Sequence, residues 1–273
     1  MNIFIPYHPR KLYRVLYCLI ILLVIIFGAV PIGAKETINS SSSYSTGWNC
    51  RKYCPYIAAA AIGAGLFAYD KSLNTFSQKS AYHSTSADDF FKPLNDYGQF
   101  GPYIAIVPAL AAYGLIGKNN RCLSTAGELI VGLAAAELVT GGAKIIMGRK
   151  RPFETGKAYE FFKGGRSFWS GHTVTTATFA TIISKRFPRQ NLGFIGIDHD
   201  LPIVPVLAYS YTSLMAIERL YANDHWASDV YFGAIAGYAI GSLTVHFSNK
   251  IQAGRLKLKT NDHVYVVYEI SFN

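Results

Sequence analysis

From Pro55 to Phe247 the chain is a succession of long apolar runs broken by short polar stretches, and few of them alternate with the period of a strand. "PYIAAAAIGAGLFAYD" (55–70) leads into a polar amphipathic stretch that reaches about residue 97. "GPYIAIVPALAAYGLIG" (101–117), "STAGELIVGLAAAELVTGGAKIIMG" (124–148) and "SGHTVTTATFATIISKRF" (170–187) follow. After the connection "PRQNLGFIGIDHDLP" come "VPVLAYSYTSLMAIERLYA" (204–222) and "HWASDVYFGAIAGYAIGSLTVHF" (225–247). Runs of this length fit helices better than strands. The expected fold is all-α, a bundle of about six core helices. The tail changes period: Leu256 and Leu258 alternate with Lys257 and Lys259, "TNDH" turns, and "VYVVYEISF" follows, which predicts a short C-terminal β-hairpin.

The amino terminus has a different character. Arg10, Lys11 and Arg14 precede the apolar stretch "LYCLIILLVIIFGAV", and "PIGA" closes it with small residues. That order is the order of a secretory signal, with cleavage after Ala34; an uncleaved anchor helix is the alternative. Either form places the remainder outside the inner membrane. The expected organisation is a leader or anchor at 1–34, a serine-rich spacer at 35–54, a helical domain at 55–250 and the hairpin tail at 251–273. Four cysteines are present, Cys18 within the leader and Cys50, Cys54 and Cys122 beyond it. An oxidising compartment permits a disulfide, and the spacing has no second Cys/His pair of the kind that holds zinc.

Only 15% of residues are charged, against about 25% in ordinary soluble proteins. The balance is nevertheless basic. Net charge is +10, and removal of the leader's three cations leaves 23 basic and 16 acidic residues, or +7. Anionic partners are favoured: phosphorylated ligands or an anionic membrane surface. Nucleic acid is not expected, because no dense Lys/Arg stripe with interleaved aromatics appears. Whether the helices cross the bilayer is balanced. Tyr97–Gly117 and Val230–Asn249 carry no charge, but 124–148 carries Glu128, Glu137 and Lys144, and mean hydropathy is only +0.19. Buried charges in a membrane need functional partners. The expectation is a compact helical domain on the outer face, with a multi-pass protein as the rival. Gly233, Gly237 and Gly241 line one face of the last helix and would let a neighbour approach closely.

Three short motifs carry candidate chemistry. "KIIMGRKRP" ends an apolar run in four basic residues and a proline: Lys144, six residues, then Arg151-Pro152. "SFWSGHT" places Ser170, Gly171 and His172 at a helix start. "ERLYANDHWASD" gives Arg219, five residues, His225, three residues, Asp229. Singly each has an ordinary reading: a dipole-matched helix end, a helix cap, a surface His–Asp pair. Together they describe a phosphoryl-transfer site. Lys144, Arg151 and Arg219 can neutralise a phosphoryl group, and the N–H groups of the helix opened by Gly171 can point at it. His225 and Asp229 lie one helical turn apart, so the carboxylate can fix the imidazole's tautomer and leave the other nitrogen free to attack. His172 can protonate the leaving oxygen. The three cations and the helix terminus take the part of a metal, and no cofactor or metal site is expected.

These residues resemble the signature of the type 2 phosphatidic acid phosphatase superfamily, which embraces lipid phosphate phosphatases, histidine-type acid phosphatases and vanadium haloperoxidases. The signature is Lys, six residues, Arg-Pro; Pro-Ser-Gly-His; and Ser-Arg, five residues, His, three residues, Asp. Lys144, Arg151, Pro152, Ser170, Gly171, His172, Arg219, His225 and Asp229 match it at the right spacing. The resemblance implies that His225 is a nucleophile forming a phosphohistidine, that Asp229 orients His225, and that His172 is the general acid. It implies that Lys144, Arg151, Ser170, Gly171 and Arg219 bind phosphate; in "KIIMGRKRP" Lys144 and Arg151 are then the contacts, and Arg149 and Lys150 are read as only setting the local field. Two positions depart. Trp169 replaces the family's proline and is a candidate substrate-rim residue or a core residue. Glu218 replaces its serine, and either pairs with Arg219 or faces away. The implied activity is hydrolysis of a phosphomonoester or pyrophosphate, most naturally of a membrane lipid. A soluble broad-specificity acid phosphatase, or a non-catalytic envelope protein on the same scaffold, is the alternative. Oligomeric state is left open.

Overall fold

The computed structural model describes residues 50–79, 83–192, 197–252, 256–260 and 264–268. The leader and the spacer up to residue 49 lie outside the described residues. Eight helices are described. They are α1 (Cys50–Ser77), α2 (Thr85–Tyr97), α3 (Gly101–Ile116), α4 (Asn120–Met147), α5 (Pro152–Thr155), α6 (Gly171–Arg186), α7 (Ile203–Tyr221) and α8 (Ala227–Gln252). Short antiparallel pairs join β1 (Gln190–Leu192) to β2 (Ile197–Leu201) and β3 (Leu256–Thr260) to β4 (Val264–Tyr268). The β3–β4 pair is the expected tail hairpin, in register from Leu256↔Tyr268 to Thr260↔Val264. The β1–β2 pair lies within the stretch read from sequence as a plain connection. Its strands are short and carry a register shift between Asn191 and Leu192, so no sustained alternation marks them.

Helix boundaries follow local chemistry. Asn119 caps α4 by accepting the Cys122 N–H at 3.1 Å, and Gly148 ends that helix in the left-handed region at φ 50°. Ser84 caps α2, and Pro102 stands in the first turn of α3, where its missing N–H costs nothing. Helix α1 starts at Cys50, five residues before the apolar run that announces it, and continues seven residues past Asp70. Cys54, in its second turn, is disulfide-bonded, whereas Cys122 is a free buried thiol.

Helix α6 is the central element. It packs on α4, α7 and α8, and every residue from Thr173 to Ile183 is buried. Its threonines bond within the helix: Thr175 to Gly171 O at 2.9 Å, Thr176 to His172 O at 2.8 Å and Thr181 to Ala177 O at 2.7 Å. Their polarity is thereby satisfied inside the core. The glycine ridge of α8 faces this helix. A methyl group on Gly237 would fall 2.3 Å from Val174 O, and one on Gly233 2.9 Å from Ser170 O. Only glycine permits that approach, and it brings the start of α8 against the start of α6.

The outer surfaces of α3 and α4 are apolar. Ile104 (73% exposed), Ile116 (85%), Leu138 (77%) and Ile145 (82%) are among the large side chains left uncovered. Among the described residues two helices are long and apolar enough to cross a membrane, Asn120–Thr155 and Ala227–Gln252. A third arises if the bent pair Thr85–Asp96 and Gly101–Ile116 counts as one span. The charges within 124–148 that argued for an aqueous setting all have partners. Glu128 pairs with Arg186, Glu137 accepts from Gln99 at 2.7 Å and Thr175 at 2.9 Å, and Lys144 joins the site described next.

Candidate active site

The site forms where α4 ends, α6 begins and the α7–α8 turn passes. Lys144 stands in the last turn of α4. A methyl group placed on Gly171 would lie 3.5 Å from Lys144 Nζ, so the ammonium meets the first residue of α6. Ser170 is fully buried and is the N-cap residue of α6, yet its side chain makes no cap bond. Its Oγ accepts from Thr173 at 3.1 Å, and its N–H donates to Asp229 O at 3.1 Å. The helix terminus is therefore not closed by its own side chain, an arrangement suited to an external anion.

Arg151 and Arg219 reach the same place. Arg151 precedes the one-turn helix α5, and its Nη1 donates to Asp224 Oδ1 at 2.9 Å. Arg219 Nη1 donates to the other oxygen of that carboxylate at 2.9 Å. Arg219 is buried, and its Nε donates to Glu218 while its Nη2 donates to Asn95 on α2. Glu218, where the family has serine, thus pairs with Arg219 instead of facing away.

His225 is buried, and its Nδ1 lies 2.8 Å from the Ser167 carbonyl oxygen. A carbonyl can only accept, so Nδ1 carries the hydrogen and Nε2 holds the lone pair. The Asp229 carboxylate is 3.9 Å from Nδ1. Its own close partners are Arg149 Nη1 at 2.5 Å, Ser167 Oγ at 2.5 Å and the Trp226 N–H at 3.0 Å. Asp229 therefore acts on His225 through its charge and through Ser167, while Ser167 supplies the direct bond. Burial pushes the His225 imidazole below its ordinary value, with the Asp229 carboxylate opposing that shift. Burial, reinforced by Arg219, His225 and Lys144, lowers His172 to about 3. Both imidazoles are therefore neutral at neutral pH. The Asn95 backbone opposes the His172 shift.

Arg149, read from sequence as a contributor to the local field, is a fully buried hub. It donates to Asp229, to Ser228 Oγ at 2.8 Å, to Asp70 Oδ2 at 2.7 Å and to Ala158 O at 2.6 and 3.0 Å. Its guanidinium carbon lies 4.8 Å from the Phe161 ring centre, with Phe67 and Trp226 also in range. Asp70 on α1 in turn accepts from the Ser228 N–H at 2.9 Å and its hydroxyl at 2.5 Å. Asp70, Asn95, Ser167 and Asp224 were not singled out from sequence. An acid in a long apolar run, as Asp70 is, was the one available signal. Trp169 is half-buried, with its indole N–H donating to Thr140 Oγ1 at 3.2 Å, one turn before Lys144. The peptide joining it to Phe168 is cis.

All nine residues that match the signature thus lie in or beside one cradle. A family model, the PAP2 superfamily, matches residues 125–253. Over those residues, which carry every motif of the site, the chain is similar to that superfamily. It is 28% identical over 171 residues to a lipid A 1-phosphatase of Porphyromonas gingivalis, a match covering 61% of this chain and 33% of the relative. The chain therefore spans about a third of the length of the curated relative it matches. A transmembrane PAP2-type phosphatidylglycerolphosphate phosphatase from Bacillus subtilis shares the fold, with TM-score 0.52, 18% identity and coverage of 71% of this chain and 96% of that one. The crystal structure of Aquifex aeolicus LpxE matches with TM-score 0.44 and 22% identity, over 60% of this chain and 88% of that one. The family model begins after α3, so Asp70 and Asn95, which hold Arg149 and Arg219, lie outside the matched region.

Proposed function

We propose that this protein is a metal-independent phosphatase of a membrane lipid, acting through a phosphohistidine at His225. The observation that carries the reading is the state of His225. Its Nδ1–H is fixed on the Ser167 carbonyl, which leaves Nε2 with a lone pair, and the charges of Lys144 and Arg151 reach the ring. Nε2 attacks phosphorus, and Lys144, Arg151, Arg219 and the N–H groups opening α6 stabilise the charge on the equatorial oxygens. The imidazolium that results is stabilised by the Asp229 carboxylate. His172 donates a proton to the leaving oxygen, and as a base it then activates the water that hydrolyses the phosphohistidine.

That proton needs a source, because His172 is neutral at neutral pH. The bound phosphate supplies it: its negative charge offsets Arg219 and Lys144, and a singly protonated phosphate can pass its proton to the imidazole. The lipid-linked substrate is favoured over a soluble ester by the apolar outer faces of α3 and α4, which suit a multi-pass protein of the inner membrane. The leader and basic charge favour a site on the outer side. The P. gingivalis relative is a lipid A phosphatase, so the phosphate of a glycolipid heads the list of substrates to try.

The test is phosphate release by the purified protein from lipid phosphates and water-soluble esters, in detergent. The reading expects release from a lipid phosphate at a rate that chelators leave unchanged, and none from a folded His225→Ala protein. Turnover that collapses with chelation and returns with a divalent cation would contradict it.

A further inference from the structure

We infer that Asp224 is a specificity-determining residue of the cradle. Its carboxylate bridges Arg151 and Arg219, in the place that a phosphoryl group would take, so binding is an exchange of anions. The inference rests on the phosphatase reading above.

Asp224 immediately precedes His225 in the turn between α7 and α8. Its main chain is fixed: Asp224 N–H donates to Arg219 O at 3.2 Å, Ala222 N–H to Glu218 O at 2.8 Å, and Asn223 adopts φ 61°. The fixed main chain aims the carboxylate at the arginines, and only its side-chain torsions need turn for it to give way. Its two oxygens each take one guanidinium at 2.9 Å, from arginines that start on different segments. Two oxygens of a phosphoryl group bridging two arginines would use the same donors. Lys144 also lies within Coulombic range of Asp224, so all three cradle cations are in its reach.

The other bonds of Arg219 make the exchange specific. Nε is engaged by Glu218 and Nη2 by Asn95, neither of which lies in the turn, so Nη1 is the nitrogen bound to a displaceable partner. With Glu218 and Asp224 present, the three cations face two internal carboxylates. An incoming ligand must outcompete a monoanion with two acceptors. A terminal phosphate, with three non-esterified oxygens to offer both arginines and Lys144, does so. A carboxylate or a phosphodiester, with two such oxygens, does not. Asp224 also returns to the arginines when the product departs, which limits retention of inorganic phosphate.

The experiment compares wild type with Asp224→Asn in detergent. It measures binding of inorganic phosphate by calorimetry, inhibition of turnover by phosphate, and rates on a phosphomonoester and a phosphodiester lipid. Asn keeps the shape and removes the competing charge. Phosphate should bind about tenfold or more tightly, as loss of one charge-assisted hydrogen bond from the competing state requires. Preference for the monoester should narrow, and Asp224→Glu should restore both. Unchanged or weaker phosphate binding in the Asn protein would overturn the inference, showing Asp224 to be a strut that prearranges the arginines. Binding in neither protein would overturn it as well. Tightened phosphate binding without hydrolysis of any ester by wild type would instead contradict the phosphatase reading and leave the anion exchange standing.

Discussion

In the proposed mechanism Arg149 acts at a distance, through the residues it holds. It is fully buried and joins Asp70, Ser228 and Asp229, and Asp229 in turn holds Ser167, whose carbonyl fixes His225. Replacing Arg149 by Met would leave two buried carboxylates without their cation, a change of about 3–5 kcal/mol when one partner of a buried pair is removed. The expected outcome is a large fall in melting temperature together with loss of turnover; an unchanged melt would show that the network does not hold the site. His172 carries a second expectation. Its value of about 3 lies below the ordinary 6.5, so in the proposed mechanism it takes its proton from the substrate. The kcat/KM should then fall as pH rises through about 6, where a phosphomonoester loses its second proton. That limb should move when the ester's own ionisation is changed. A limb fixed near 6.5 for every substrate would mean that His172 brings its own proton. The sign for folding is separate. A histidine lowered in the fold binds fewer protons than in the unfolded chain, so its contribution to stability is present above about 6.5 and lost as pH falls toward 3.

The packing of α6 against α8 decides where His172 and Asp229 stand relative to each other, and glycine decides that packing. Gly237→Ala would set a methyl 2.3 Å from Val174 O and 2.7 Å from Ala177 Cβ. The expected result is destabilisation of about 1–3 kcal/mol, as for other overpacked cores, with loss of activity. Gly127 on α4 has open space at the same position and is the control; Gly127→Ala should be neutral or slightly stabilising. Equal effects of the two would show that the ridge is not a close contact. Much of this was legible in the sequence. The apolar runs gave α4, α6, α7 and α8 to within a few residues, and the spacing of the glycines gave a close helix contact. What the runs could not give was pairing across distance. Asp70 and Arg149 are 79 positions apart and share no periodicity, and α2, a polar helix, gave no sign that Asn95 would touch the site. The carboxylate nearest the His225 ring by spacing, Asp229, proved to be one shell back, because Ser167 arrives from a loop no local pattern describes.

The molecule as a whole places a polar cradle at one end of apolar helices. Its interior charges are paired, Glu128 with Arg186 and Arg149 with two aspartates, while its outer faces expose isoleucine and leucine. That distribution is reversed from a soluble enzyme and fits a bilayer with a phosphate site near its surface. The central claim is that the phosphoryl group passes through His225 before it reaches water. Two in-line displacements, first by Nε2 and then by water, each invert phosphorus, so together they retain its configuration. A phosphate ester made chiral at phosphorus with sulfur and oxygen isotopes, hydrolysed by the purified protein in labelled water, reads this out directly. Net retention is the result expected from the phosphohistidine path. Net inversion would mean a single attack by water and would contradict it.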